Sequence, residues 1–250
     1  AAWRDWAAQR RWVFLIGCNN SGTSLLQRLI ERLGPVSTFA AEGQRYTRAL
    51  RRDDRREHAR VWSRYLDELA LGASAPLDAA PRLLHDWLRH LRTPLQPVIL
   101  EKTPANTARA LWLQRVFPDA RFIGLMRNGY AVSEGIRRKA GHSVVLGATH
   151  WAAVNALLLD QAAELEHYLE VRYEDLAAHP DAVLARLRDF IGLSPPARLA
   201  DVPMDLQTPF GRVHDYNAAS LARLNAFDRD AIRRHAGAML ERLGYAADGP

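Results

Sequence analysis

The sequence predicts an α/β protein in three layers, with a parallel sheet that carries helices on both faces. Three observations predict it. Short apolar runs typical of buried strands alternate along the chain with segments of helical periodicity. A glycine-containing loop joins the first apolar run to the first helical segment. The composition, 48% hydrophobic and 25% charged over 250 residues, is that of an ordinary globular chain. We expect a single domain across residues 1–250.

The first strand and the first helix have the clearest patterns. Residues 12–16 form an apolar run, and apolar residues recur at helical spacing between Gly22 and Leu33 before Gly34-Pro35 ends the helix. Further strands are predicted at 98–100, 121–126 and 169–173, and further helices at 106–116, 130–139, 149–168, 180–191 and 228–243. Because strands alternate with helices, the strands are expected to run parallel in βαβ units.

Two segments interrupt this alternation. Residues 48–92 are Arg-rich and then Trp-rich, and their pattern predicts an inserted helical pair that caps the sheet. A lid that shapes an acceptor pocket is the alternative for this segment. Residues 194–217 are rich in Pro and polar side chains and are predicted to be a loop.

The charge of the chain suggests anionic partners. The formal net charge is +6, and 32 of the 34 basic residues are Arg, which is typical of a GC-rich, bacterial genome. Nucleic acid and small acidic substrates both suit a basic protein, but the Arg residues are scattered, so we expect no nucleic-acid polymer as partner. The single cysteine, Cys18, excludes a disulfide framework and a multi-thiolate zinc site, and no metal-ligand spacing is present.

The sequence also bears on location. No segment approaches the ~20 apolar residues that span a bilayer. The first eleven residues are charged, lack the apolar core of a secretion signal and do not begin with Met. We therefore expect a cytoplasmic chain with no membrane span, whose N-terminus has been processed or trimmed.

A candidate phosphate loop, Gly17-Cys-Asn-Asn-Ser-Gly-Thr-Ser24, lies between the first predicted strand and helix. Backbone N–H groups and the helix dipole favour anions at such junctions. The spacing resembles G-x-x-x-x-G-K-[ST], with Thr23 in place of the lysine that contacts nucleoside triphosphates. The loop therefore favours a different phosphate-like group. A plain strand–turn–helix junction with Ser21 as the helix N-cap is the alternative.

A second anion site is predicted after the strand at 121–126. Arg127 follows that strand directly, and Ser133 and Arg137 share one face of the next helix because they are four residues apart. A surface Arg in an Arg-rich chain is the alternative for Arg127 alone. Two anion sites on adjacent βα units favour a ligand with two separated phosphates.

Together these motifs resemble the sulfotransferases that use 3′-phosphoadenosine 5′-phosphosulfate (PAPS). Residues 17–26 are similar to the family's 5′-phosphosulfate loop, and Arg127 with Ser133 resembles its 3′-phosphate site. Similar segments follow in the same order at 101–104, 117–123, 171–176, 190–193 and 240–245. The resemblance covers about residues 11–245. It implies a P-loop NTPase-like sulfotransferase fold with a helical insertion, PAPS as sulfuryl donor and adenosine 3′,5′-bisphosphate as product.

Protein-tyrosine sulfotransferases and their bacterial relatives have the most similar subpattern. There a Glu, the general base, follows the first helix with an Arg three residues later, as Glu42 and Arg45 do here. The resemblance implies that Arg45 orients Glu42 near the substrate and that Lys102 supports the transferring sulfuryl group. The cofactor contacts it implies are Asn20, Ser21, Gly22, Thr23, Ser24, Arg127, Ser133, Arg137, Tyr173, Thr208 and Arg223. Residues 194–217 would cover the cofactor.

Two positions depart from that pattern. Asn20 stands where the family has Arg or Lys, and Ser133 lies six residues after Arg127 rather than eight, which a two-residue shortening before the helix would explain. Lys102 is a candidate to replace the missing cation. The expected acceptor is a hydroxyl or amine of a small molecule, sugar or peptide. A nucleotide-dependent kinase with a degenerate loop and a non-catalytic nucleotide-binding protein are the alternatives, and His142, His150 and His214 are alternative bases.

Overall fold

Five parallel strands form the centre of the molecule in the order β2–β3–β1–β4–β5. The computed structural model describes residues 2–53, 55–92, 94–193 and 214–245. The strands are β1 (Arg11–Gly17), β2 (Val36–Thr38), β3 (Val98–Lys102), β4 (Arg121–Met126) and β5 (Tyr168–Arg172). The predicted parallel sheet is confirmed. The three-residue β2 was not predicted, because so short a strand carries no period of its own.

Helices and short 3-10 turns connect the strands. The described helices are α1 (Ala2–Ala8), α2 (Thr23–Leu33), α3 (Leu66–Leu69), α4 (Ala80–Leu88), α5 (Ala110–Val116), α6 (Gly129–Ala140), α7 (Val144–Ala162), α8 (Tyr173–Ala178), α9 (Pro180–Ile191), α10 (Asn217–Leu221) and α11 (Ala226–Arg242). None of them is long and apolar enough to cross a membrane. The 3-10 turns are Gly43–Tyr46, Arg56–His58, Trp62–Tyr65 and Pro104–Arg109.

Helices cover both faces of the sheet, as predicted. Alternate residues of a strand point to opposite faces, and β1 is buried on both. Val13 and Leu15 pack with α2, α8 and α9, whereas Trp12 and Phe14 pack with α5, α6, α7 and α11. The two hydrophobic cores hold β1 at the centre of the sheet, so its carboxyl end is a rigid platform for the loop that follows.

The insertion at 48–92 caps the sheet, but it is less helical than predicted. Its aromatic side chains pack on the core, and Trp87 stacks on Trp12 with ring centroids 5.7 Å apart. Trp62 is also buried. From Arg56 to Leu69 the chain forms two 3-10 turns and the four-residue α3. Large buried aromatic side chains therefore hold this segment in place without long helices.

Two predicted helices differ clearly in their boundaries. The helix predicted at 106–116 is α-helical only from Ala110, after the 3-10 turn Pro104–Arg109. Helix α7 begins at Val144 rather than 149 and ends at Ala162 rather than 168. Ser143 caps its first turn by accepting a hydrogen bond of 3.2 Å from the N–H of Leu146. Tyr168 belongs instead to β5, where it pairs with Phe122 of β4. Pairing with a neighbouring strand has overridden the helical period at this end of the segment.

Candidate functional site

The loop after β1 depends on two glycines. Gly17 has φ +135°, and a Cβ added there would lie 2.5 Å from the carbonyl oxygen of Leu125. Gly22, which precedes α2, has φ +102°, and its added Cβ would lie 2.9 Å from the ring of Tyr173. Only glycine fits both the backbone conformation and the space. The tight path brings the first turn of α2, whose N–H groups have no acceptor within the helix, to the carboxyl edge of the sheet.

A cleft of about 330 Å³ opens at this edge, and we call it the central cleft. It is lined by Asn19, Asn20, Gly22, Thr23, Ser24, Leu25, Glu42, Arg60, Lys102, Pro104, Arg127 and Lys139. The structure thus brings together the predicted loop, Glu42, Lys102 and Arg127. Because four cations and one carboxylate line the cleft beside a helix N-terminus, it suits an anionic ligand.

Glu42 and Lys102 form an ion pair in this cleft. The Lys102 Nζ lies 3.1 Å from Glu42 Oε1, with side chains 13% and 20% exposed respectively. The second carboxylate oxygen, Oε2, accepts a hydrogen bond of 3.0 Å from Gln44 Nε2. These two donors orient Glu42. The expected role of Arg45 is corrected here. Its backbone N–H donates to the Glu42 carbonyl at 2.9 Å, but no described hydrogen bond joins its side chain to the Glu42 carboxylate. The exposed Arg45 side chain lines two neighbouring pockets instead.

A buried carboxylate, Glu101, fixes the backbone next to Glu42. It accepts hydrogen bonds from the Gly43 N–H at 2.8 Å and from Asn106 Nδ2 at 2.5 Å, and also from the Thr103 hydroxyl. Burial raises the pKa of Glu101 to about 6. Sequence reasoning used Glu101 only as part of a motif. The signal for its role was its place beside Lys102 at the end of a buried strand.

A second carboxylate, Asp53, lies close to Glu42. Gln44 Nε2 also donates to Asp53 Oδ1, and the buried Arg109 donates to Gln44 Oε1 at 3.2 Å. Burial, and next the charge of Glu42, raise the pKa of Asp53 to about 6, and burial lowers the pKa of Arg109 to about 10. Gln44 therefore links the two carboxylates to a buried cation. None of these three partners was predicted from the sequence.

Arg127 joins the loop to the opposite side of the cleft. Its Nε donates to Asn217 Oδ1 at 2.8 Å, one terminal nitrogen donates to the Asn20 carbonyl at 3.0 Å, and the guanidinium lies 4.1 Å above the centre of the Tyr173 ring. Burial lowers its pKa. Glu174 in turn accepts from Asn217 Nδ2 at 2.7 Å. Asn217 and Glu174 orient Arg127. Asn217 was expected only as the end of the covering loop, and Glu174 was not predicted as a site residue.

A second pocket of about 330 Å³ shares Arg127 with the central cleft, and we call it the Arg127 pocket. It is lined by Asn20, Arg127, Ala131, Gly135, Arg138, Lys139, Tyr216, Ala219, Ser220 and Arg223. The predicted Arg223 lies here. Three further cations, Arg127, Arg138 and Lys139, line the same space.

The structure corrects the expected places of Ser133 and Arg137. Ser133 is fully buried, donates to the Gly129 carbonyl at 2.7 Å and packs against Gly147 of α7. Arg137 pairs with Asp228 at 2.9 Å. Helix α6 turns this face toward α7 and α11, and the residue eight positions after Arg127 is Gly135, which lines the pocket. The expected shortening before the helix is therefore absent.

The remaining predicted residues fall into three groups. Tyr173 is buried, supports Arg127 and donates from its hydroxyl to the His214 carbonyl at 2.9 Å, so it acts behind the cleft wall. Ser21 is buried, and the helix N-cap is Gly22 rather than Ser21. Thr208 and most of the expected covering loop, residues 194–213, lie outside the described residues.

Two histidines considered as bases hold the insertion instead. His142 Nε2 lies 2.9 Å from the Ala59 carbonyl, and His150 Nδ1 lies 2.8 Å from the Ser63 hydroxyl. Burial lowers the pKa of His150 to about 3. Their ring nitrogens fix backbone and side chains of residues 59–63 above the central cleft.

The fold and the cleft define an α/β protein with a strand–loop–helix junction and a cation-lined cleft at the carboxyl edge of its sheet. The sulfotransferase family model matches residues 13–196, and the chain belongs to this family. It is similar to protein-tyrosine sulfotransferase A of Caenorhabditis elegans, with 24% identity over 72% of this chain and 50% of that protein. It is also similar to omega-hydroxy-beta-dihydromenaquinone-9 sulfotransferase of Mycobacterium tuberculosis, with 26% identity over 68% and 49%.

Solved structures share the fold. The sulfotransferase domain of the Synechococcus PCC 7002 olefin synthase is 18% identical, with a TM-score of 0.53 and coverage of 96% of both chains. A mouse sulfotransferase complexed with PAP is 13% identical, with a TM-score of 0.52 and coverage of 98% of this chain and 92% of that one. The chain spans about half the length of the curated relatives it matches.

Proposed function

We propose that this chain transfers a sulfuryl group from PAPS to a hydroxyl of an acidic acceptor. The observation that carries the proposal is the Glu42–Lys102 pair, 3.1 Å apart and facing the first turn of α2 across one cleft. A carboxylate that accepts a proton and a cation that stabilises developing charge are the two groups a sulfuryl transfer requires of the protein. Membership of the sulfotransferase family supports this assignment.

The residues present fit such a donor. Asn20 Nδ2 and Ser21 Oγ are buried polar atoms without a hydrogen-bond partner in the described structure. The central cleft and the Arg127 pocket meet at Arg127, so one ligand with two separated anionic groups can occupy both. The backbone of residues 20–24 would hold its 5′ group, and Arg127, Arg138 and Arg223 its 3′-phosphate. When bound, PAPS supplies an activated sulfuryl group on a phosphate leaving group.

In this mechanism Glu42 takes the proton of the acceptor hydroxyl at a carboxylate oxygen. Lys102 and Gln44 hold the carboxylate in place through Oε1 and Oε2, and Glu101 holds the adjoining backbone through the Gly43 N–H. Lys102 also supplies positive charge where negative charge grows during transfer. Such preorganised groups act without rearranging at the moment of reaction, which is the main contribution a protein makes to group transfer.

The acceptor side of the cleft is strongly basic. A cavity of about 570 Å³, the basic groove, is lined by Arg45, Tyr46, Thr47, Arg48, Arg52, Arg82, His85, Asp86, Arg89 and His90. Among the described residues Asp86 is its one acidic lining residue, and it is held by Arg82 at 2.8 Å and Thr47 at 2.9 Å. Arg45 belongs both to this groove and to the pocket that contains Glu42 and Asp53. A peptide or sugar with negative groups beside its hydroxyl fits this surface better than an apolar acceptor.

Incubation with radiolabelled PAPS and acidic or neutral tyrosine peptides and sugars tests the proposal. We expect label transfer to acidic acceptors, and a melting temperature raised by adenosine 3′,5′-bisphosphate but not by ATP–Mg²⁺. A rise with ATP–Mg²⁺ and phosphate transfer would favour the kinase alternative. Bisphosphate binding without label transfer to any acceptor would favour the non-catalytic binding protein.

A further inference from the structure

We propose that Arg60, carried by the insertion at 48–92, supplies the cation that the phosphate loop lacks at Asn20. The ligand group it would contact is the 5′-phosphate of the adenosine bisphosphate, the leaving group of sulfuryl transfer. This inference rests on the proposed function. It concerns a residue that no motif in the sequence singled out.

Contact geometry places Arg60 at the loop. A terminal nitrogen of Arg60 donates to Asn20 Oδ1 at 3.1 Å. Arg60 lines both the central cleft and the neighbouring pocket that contains Glu42 and Asp53. Its guanidinium therefore lies between the loop that would hold the donor and the carboxylate that would face the acceptor.

Two of the other three cations of the central cleft are already engaged, and the third, Lys139, also lines the Arg127 pocket. Lys102 is paired with Glu42, and Arg127 is held by Asn217 and the Asn20 carbonyl on the opposite side. Arg60 is exposed, and in the described part of the chain its guanidinium has no carboxylate partner, only the neutral amide of Asn20. A guanidinium with unused donors beside a helix N-terminus is well placed to bind a phosphate oxygen.

The backbone at Arg60 is strained and firmly held. Arg60 has φ +66°, a left-handed conformation that costs a non-glycine residue about 1 kcal/mol or more. The residue before it is held by His142 through the Ala59 carbonyl, and the residue after it, Val61, is buried. Because contacts on both sides impose this turn, the exposed Arg60 side chain is directed toward the loop, where it contacts Asn20.

Asn20 has a matching conformation. Its φ of +64° is a left-handed value that Asn adopts more readily than Arg or Lys. Its short side chain presents an acceptor to Arg60 and leaves space for the guanidinium. The loop therefore has an amide, Asn20, at the position where the resembled family has a cation, and Asn20 accepts a hydrogen bond from Arg60 of the insertion.

Calorimetry with two ligands tests this assignment without turnover. We expect Arg60→Ala to weaken adenosine 3′,5′-bisphosphate about 10-fold or more, the loss of one hydrogen bond to a charged group. Adenosine 3′-monophosphate, which lacks the 5′-phosphate, should bind Arg60→Ala and the unmodified protein equally. Arg64→Ala, an exposed arginine of the same insertion that lines none of the described pockets, should bind both ligands normally.

A rescue variant completes the test. Asn20→Arg in the Arg60→Ala background should recover most of the lost bisphosphate affinity. Where transfer is measured, Arg60→Ala should lower turnover roughly 100-fold, and the added Asn20→Arg should restore most of it. Equal loss for both ligands, no loss, or no rescue by Asn20→Arg in a protein of unchanged melting temperature would overturn the assignment. Absence of sulfuryl transfer by the unmodified protein would instead contradict the proposed function, and the two-ligand comparison would still decide the role of Arg60.

Discussion

The two ends of the cleft carry charge in different ways. At the transfer end, around Glu42 and Lys102, carboxylates and cations face each other and share hydrogen bonds through Gln44. At the binding end, the Arg127 pocket, all the charged side chains in the described lining are cations. The carboxylates there lie behind the wall, where Glu134 pairs with Arg138 at 3.2 Å and Glu174 orients Asn217.

Under the proposed function, this difference separates the chemical step from ligand affinity. A proton would be accepted at the transfer end, where defined donors hold a carboxylate in place. The described lining of the binding end has no carboxylate, and under the proposed function it would contribute attraction and position. We therefore expect substitutions at the transfer end to lower turnover with bisphosphate affinity retained, and substitutions at the binding end to lower affinity first.

The largest effect is expected for Glu42→Gln. Without a base, turnover should fall roughly 10²–10⁴-fold, while bisphosphate affinity stays within a few-fold of the unmodified protein. Single-turnover kinetics and calorimetry measure the two quantities. Glu57→Gln, at an exposed position of the insertion, is the matched control. Near-normal turnover in Glu42→Gln would show that another residue is the general base, and His214 would be tested next.

Lys102→Ala should have the second largest effect. Its loss removes the cation next to the developing charge and leaves Glu42 without its 3.1 Å partner, so turnover should fall on the order of 10²–10³-fold. Lys102→Arg should recover little activity, because a planar fork does not replace a compact ammonium at a crowded site. Full recovery in Lys102→Arg, measured by initial rates, would show that only the charge matters.

Arg127→Ala tests the binding end. We expect the bisphosphate to bind about 1.5–3 kcal/mol more weakly, the range for a hydrogen bond to a charged group. Arg137→Ala is the internal comparison: it breaks the pair with Asp228, so the melting temperature should fall while bisphosphate affinity is kept. Unchanged affinity in Arg127→Ala, or a selective loss of affinity in Arg137→Ala, would contradict the assignment of Arg127, and not Arg137, to bisphosphate binding.

The smallest effect concerns pH at the transfer end. The pKa of Asp53 is about 6 in the folded protein and 3.8 as its ordinary value, so the folded state binds the proton more tightly. Stability is therefore lost as pH rises from about 4 to about 6. Asp53→Asn should remove about 1–2 kcal/mol of this pH dependence in urea unfolding curves. If the unfolding free energy changed with pH equally in the two proteins, the raised pKa of Asp53 would be contradicted.

The sequence by itself determined the strands and helices in which the pattern of apolar residues continues without a break. Strands β1 and β4 and helices α2 and α9 lie within one or two residues of their predicted bounds, because buried runs and apolar stripes persist through each. The loop after β1 was predicted because its glycines and its place between strand and helix are visible in the sequence alone. Arg127 was singled out by its place after a predicted strand, and Glu42 and Lys102 by a resemblance; the structure brings all three to one cleft.

Only the tertiary structure decided which side chains meet. Ser133 and Arg137 share a helix face as predicted, but packing against α7 and α11 turns that face inward and leaves Gly135, Arg138 and Lys139 at the ligand space. Gln44 rather than Arg45 holds Glu42 beside Lys102. Arg60 reaches Asn20, forty residues earlier, through a strained turn. Such contacts depend on how distant segments pack, which no local periodicity records.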